Sequence, residues 1–171
     1  MTHDEAVGFL RKGIKKEQSI WLDLGAGSGT FSKALAELLP SGSKVYAVDK
    51  DPNVLNVSSF SNEIISIQSD FENLKDLPVF DGILMANALH YVGEPIPFLQ
   101  KILKYLLPNG IFLMVEYDME SSNPWVPYPI PFQKWKTIST EIGLTIPDIF
   151  NEKISRYRRG TIYAAINYLK N

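Results

Sequence analysis

Residues 19–49 read SIWLDLGAGSGTFSKALAELLPSGSKVYAVD, and three local patterns follow one another in them. Residues 19–24 are an apolar run that stops at a glycine-rich turn, Gly25-Ala26-Gly27-Ser28-Gly29. Phe31, Ala34, Leu35, Leu38 and Leu39 then recur at the i, i+3, i+4, i+7, i+8 spacing of an amphipathic helix. Pro40-Ser41-Gly42 breaks that helix, and residues 44–48 make a second apolar run ending in Asp49. The reading is strand, turn, helix, strand: a crossover unit that sets two parallel strands side by side.

The same alternation continues on both sides of this unit. Upstream, Thr2 with Glu5 fits a capping box, and Ala6, Phe9 and Leu10 extend a short helix that ends near Gly13. Downstream, a short helix is expected over residues 53–60 with Pro52 at its start, then a third strand over 63–68 with Asp70 just beyond it. A fourth strand spans 82–86, a helix spans 96–107 and is closed by Pro108-Asn109-Gly110, and a fifth strand spans 111–116. Residues 121–131 hold Pro124, Pro127, Pro129 and Pro131 and read as loop. A helix over 132–142 then precedes two extended segments, 146–155 and 161–169, whose short link makes them an antiparallel hairpin. The expected class is α/β, a doubly wound and mostly parallel sheet with a C-terminal antiparallel hairpin, in one domain over residues 1–171.

Composition narrows the function. With 17 Lys+Arg against 19 Asp+Glu the chain has a formal charge of −2, which disfavours binding to nucleic acid. There is no cysteine, and the two histidines, His3 and His90, have no ligand spacing between them, so no metal is expected. The start carries no apolar signal segment and no stretch is long enough to span a membrane, so the expected location is cytoplasmic.

In an open parallel sheet, ligands bind at the carboxyl ends of the strands. Gly25, Gly27 and Gly29 let a ligand approach the backbone there, and the helix start that follows favours a negatively charged group. Asp49 stands where a carboxylate accepts from both hydroxyls of a ribose, and Asp70 where one accepts from an exocyclic amino group such as that of adenine. The bland reading of the glycines alone is a tight connection.

Five segments, WLDLGAGSGTFS (21–32), VYAVDKDP (45–52), QSDFENL (68–74), FDGILMANALHYV (80–92) and LLPNGIFLMVE (106–116), resemble the successive motifs of class I S-adenosylmethionine-dependent methyltransferases. The resemblance implies a seven-stranded Rossmann-like methyltransferase fold whose last strand is antiparallel and inserts beside the fifth. It implies that Asp23 with Gly25, Ala26, Gly27 and Gly29 lies by the methionine part of the cofactor. Asp49 and Lys50 would lie at the ribose, Asp70 and Phe71 at the adenine, and Asn87 near the transferred methyl.

Two departures refine this. Thr30 gives the spacing Gly-x-Gly-x-Gly, which argues against a nicotinamide dinucleotide fingerprint. Asn87-Ala88-Leu89-His90 is not the Asn-Pro-Pro-Tyr type of motif found in methyltransferases acting on amino groups of adenine, cytosine or glutamine.

The expected enzyme moves a methyl group to a small-molecule, or exposed macromolecular, nucleophile by in-line displacement. A non-catalytic S-adenosylmethionine-binding adaptor and an NAD(P)-dependent oxidoreductase are the competing functions. His90 is the candidate general base, or else a residue that orients loop or substrate. Tyr91, Glu116, Tyr117 and Asp118 lie near strand ends, where packing, capping or solvation also accounts for them. Trp125 and Tyr128 either wall a substrate pocket or anchor the proline loop. Arg156, Arg158 and Arg159 either grip an anionic substrate at the site mouth or form a solvated turn. Little of the chain is left to close over a substrate, so a partner chain or second protomer is expected as a lid.

Overall fold

The computed structural model describes residues 1–15, 17, 19–51, 62–155 and 160–170. The expected helix over residues 53–60, and Arg156, Arg158 and Arg159, lie outside the described residues. In chain order the elements are α1 (His3–Leu10), β1 (Ile20–Leu24), α2 (Thr30–Leu38), β2 (Lys44–Asp49), β3 (Glu63–Gln68) and β4 (Phe80–Ala86). They continue with α3 (Pro95–Ile102), β5 (Leu106–Asp118), α4 (Phe132–Glu141), β6 (Asp148–Ile154) and β7 (Thr161–Tyr168).

The strands join in one seven-stranded sheet in the order β3-β2-β1-β4-β5-β7-β6. The first five are parallel, while β7 is antiparallel to both β5 and β6. This is the doubly wound sheet with a terminal antiparallel hairpin that the sequence predicts.

Side chains alternate across the central strands, so each contributes to two cores. Ile83 and Met85 of β4, with Phe112 and Met114 of β5, pack beneath α3 and α4. Leu84 and Ala86, with Ile111, Leu113 and Val115, pack beneath α1 and α2. The predicted capping box is present at α1: the Glu5 amide donates to Thr2 Oγ1 (3.3 Å) and the Thr2 amide to Glu5 Oε2 (2.8 Å). At its other end Asn151 Nδ2 of β6 donates to the carbonyl of Phe9 (3.1 Å), tying the helix to the sheet.

One boundary differs from the sequence reading. The helix expected over 96–107 stops at Ile102, tightens into a 3-10 turn over Leu103–Tyr105, and gives way to strand at Leu106. Leu106 is drawn into the core and pairs with Phe80. Pro108-Asn109-Gly110 therefore does not close a helix but lies in a bulge of β5, with Asn109 at φ 61°, before Ile111 regains register with Gly82. Burial of one leucine outweighs the helical spacing before it.

Candidate active site

The turn after β1 is shaped by its glycines and by β2. The amides of Gly25 and Ala26 both donate to the Val48 carbonyl (2.9 and 3.0 Å), folding the chain back over the end of β2. Gly25 has φ +75°, and a Cβ there would stand 2.6 Å from Ala88 Cβ, so only glycine fits. Gly27, at φ +53°, faces open space. Gly29 is the N-cap of α2 and makes no side-chain cap bond.

The acids at the ends of β2 and β3 are held by backbone amides. Asp49 Oδ2 accepts from the Gly27 amide (2.8 Å) and Oδ1 from the Asp51 amide (3.0 Å). Each of its oxygens keeps a further lone pair in a fixed direction. Asp70 is exposed and caps the 3-10 turn Phe71–Asn73 through the Glu72 amide (3.0 Å). Phe71 packs on Phe98 with ring centroids 5.5 Å apart, and its Cε1 lies 3.4 Å from where a Gly25 Cβ would be. Lys50 is exposed.

Asp23 and Asn87 stand at the ends of the neighbouring strands β1 and β4. Asp23 is buried, and its Oδ2 accepts from Ser32 Oγ of α2 at 2.5 Å. Burial pushes its carboxyl up to about 7; the Ser32 hydrogen bond opposes this and the charge of Asp49 adds to it. Asn87 has φ 51° and donates its amide to the Val115 carbonyl (2.8 Å). Asp23 Oδ1 and Asn87 Oδ1 are both buried without a hydrogen-bond partner. Such acceptors are costly unless a donor reaches them.

His90 sits on the turn after β4 and is 2% exposed. Its Nδ1 lies 2.8 and 3.0 Å from the two oxygens of Glu116, which is itself fully buried at the end of β5. Glu116 also accepts the amides of His90 and Tyr117, both at 3.2 Å. The proline loop is tied to the same turn, since the Tyr128 amide donates to the His90 carbonyl (3.0 Å).

The structure thus gathers Asp23, the glycine turn, Asp49, Asp70, Phe71, Asn87 and His90 along one rim of the sheet. Tyr91 and Tyr128 are about half exposed on that rim, while Trp125 is 77% exposed at the tip of the loop. Trp125 does not anchor the loop: Val126 and Ile130 are buried and do so. Sequence reading missed Ser32, Ala88 and the Glu116–His90 pair. A serine within the apolar face of α2 was a faint signal for the first; nothing local signalled the others.

Residues 15–159 match the family described as methyltransferase domain. The chain is 33% identical over 111 residues to demethylmenaquinone methyltransferase of Clavibacter sepedonicus, a match over 62% of this chain and 42% of that one. It is 28% identical over 98 residues to ubiquinone biosynthesis O-methyltransferase of Rickettsia akari, over 54% of this chain and 38% of that one. The matched stretch spans about two fifths of the length of these curated relatives. Among solved structures, 1,6-didemethyltoxoflavin-N1-methyltransferase of Burkholderia thailandensis, with 1,6-didemethyltoxoflavin and S-adenosylhomocysteine bound, aligns with a TM-score of 0.75 at 17% identity, over 99% of this chain and 78% of that one. At that identity the likeness is one of fold.

Proposed function

The chain belongs to the methyltransferase domain family, and from that membership we propose that it binds S-adenosylmethionine over the carboxyl ends of β1, β2 and β3. It passes the methyl group to a small-molecule acceptor by in-line displacement. The observation that carries this reading is the pair of buried acceptors, Asp23 Oδ1 and Asn87 Oδ1, which call for a compact group with several N–H donors. The ammonium of the methionine moiety is such a group.

When bound, S-adenosylmethionine supplies a methyl group already activated on a sulfonium. The residues then have to bind, align and exclude water. Asp23 and Asn87 receive the ammonium, the Gly25–Gly29 turn lets the backbone approach, and Asp49, prepositioned by two amides, accepts from the ribose hydroxyls. Lys50 flanks the ribose acid, while Asp70 and Phe71 border the adenine, with Phe71 braced by Phe98.

The small-molecule acceptors in the relatives' names support the same class of acceptor here. It enters over the rim that carries Tyr91, Trp125 and Tyr128, where a partner chain or second copy would close above it. Cytoplasmic operation is part of this proposal. Among the described residues no helix is long and apolar enough to cross a membrane.

Calorimetry tests the proposal. S-adenosylhomocysteine should bind at least about tenfold tighter than NAD, a difference of roughly 1.4 kcal/mol. Equal or tighter binding of NAD would overturn it.

A further inference from the structure

We infer that His90 is the general base for a flat acceptor bearing a weakly acidic hydroxyl, and that Glu116 is the positioning residue that makes it one; this rests on the methyltransferase reading above. A carboxylate against Nδ1 of an imidazole holds that nitrogen as the N–H donor and leaves the other as an acceptor. Glu116 faces Nδ1 with both oxygens, at 2.8 and 3.0 Å, and the amides of His90 and Tyr117 fix the carboxylate in turn. Nε2 has no hydrogen-bond partner among the described residues. The turn that carries it directly follows Asn87, at the end of the strand beside the proposed cofactor turn.

The surroundings point to the shape of the acceptor. The ring of Tyr91 covers the imidazole with centroids 4.4 Å apart, yet is 52% exposed. Exposed side chains change rotamer within nanoseconds, so this cover can move aside. The ring of Tyr128, 48% exposed, lies 3.4 Å from where a Cβ on Gly93 would be, two residues beyond Tyr91. The phenol rings recorded against the imidazole are those of Tyr91 and, with centroids 6.0 Å apart, Tyr117, and with Tyr128 on the same rim they suit a planar, conjugated acceptor. A hydroxyl is favoured over an ammonium because its proton can leave as the oxygen attacks, whereas an ammonium nitrogen has no electron pair until it is deprotonated.

In the step, His90 Nε2 takes the hydroxyl proton and the oxygen's electron pair forms the new O–CH3 bond. The C–S bond breaks with its pair on sulfur. The products are a methyl ether, a neutral thioether and an imidazolium that returns its proton to water.

Two probes of different acidity test this: 4-nitrophenol, mostly ionised at about pH 8, and 4-methylphenol, mostly protonated there. Wild type should methylate both. His90→Gln should lose about 10²- to 10⁴-fold on 4-methylphenol but less than about tenfold on 4-nitrophenol, which needs no base. Glu116→Gln should lower kcat for 4-methylphenol with little change in KM, and shift the His90 ring toward the Nε2–H tautomer, because the carboxylate no longer holds the proton on Nδ1.

The groups facing His90 are Glu116 and Tyr117 from β5 and Tyr91 from its own turn. Tyr163 of β7 is the cross-strand partner of Glu116. Independently of turnover, ¹⁵N NMR of His3→Gln protein, whose sole histidine is His90, should show the neutral ring protonated at Nδ1 and bare at Nε2. An Nε2–H tautomer overturns the inference, as does equal loss of both probes in His90→Gln. If wild type methylates neither phenol while calorimetry still shows S-adenosylhomocysteine binding, the hydroxyl acceptor falls and the methyltransferase reading stands; loss of that binding takes both.

Discussion

Asp23 is held at a cost that can be measured. Its carboxyl is raised from 3.8 to about 7, chiefly by burial. The folded protein therefore keeps a proton that the unfolded chain has already released between those two pH values. Stability falls as pH rises through that window, and the penalty is absent below it. Asp23→Asn keeps an acceptor for Ser32 without the charge. It should be more stable than wild type by about 2–4 kcal/mol at pH 8, and by almost nothing near pH 4, in urea unfolding. Its affinity for S-adenosylhomocysteine should fall at least about tenfold, because the ammonium loses an anionic partner. For the same reason wild-type affinity should rise with pH through about 7. At Asp49 the expectation differs: Asp49→Ala removes hydrogen bonds to the ribose worth about 1.5–3 kcal/mol, a ten- to hundredfold loss in calorimetry, with little effect on folding.

Between elements, close approach decides what each position tolerates. Trp21 of β1 pairs with Gly82 of β4, and a Cβ on Gly82 would stand 2.4 Å from the indole ring. The indole takes the space that a side chain on β4 would fill. Gly82→Ala should cost about 1–3 kcal/mol in urea unfolding, while the folded fraction binds S-adenosylhomocysteine normally. Should the variant be as stable as wild type, the indole shifts more freely than this packing implies. A corresponding contact joins the site turn to the next strand end, where a Cβ on Gly25 would stand 2.6 Å from Ala88 Cβ. The rim is thus a set of strand ends packed against one another, with Glu116 and His90 closing it on the β5 side.

Across the molecule the central strands β1, β4 and β5 are buried on both faces, and polar contacts within the cores set how the layers meet. Trp135 of α4 is fully buried and donates from Nε1 to Asn167 Oδ1 of β7 (3.0 Å), whose Nδ2 in turn reaches the Thr145 carbonyl (2.7 Å). Trp135→Phe should cost about 2–3 kcal/mol in urea unfolding, because it leaves a buried acceptor unmet and a small void. The alternation of strands and helices, the glycine turn and the acids at the ends of β2 and β3 were all legible in the sequence. They depend on apolar spacing and on backbone angles, which act over a few residues. The end of α3 was not, because Leu106 is placed by the strand it pairs with rather than by the residues before it. Nor were the partners of the buried polar groups: Asp23 meets Ser32, Trp135 meets Asn167, and His90 meets Glu116 across 26 residues of chain. A buried polar side chain needs a partner, but which one it finds depends on strand order and register, and those come into being only when the sheet forms.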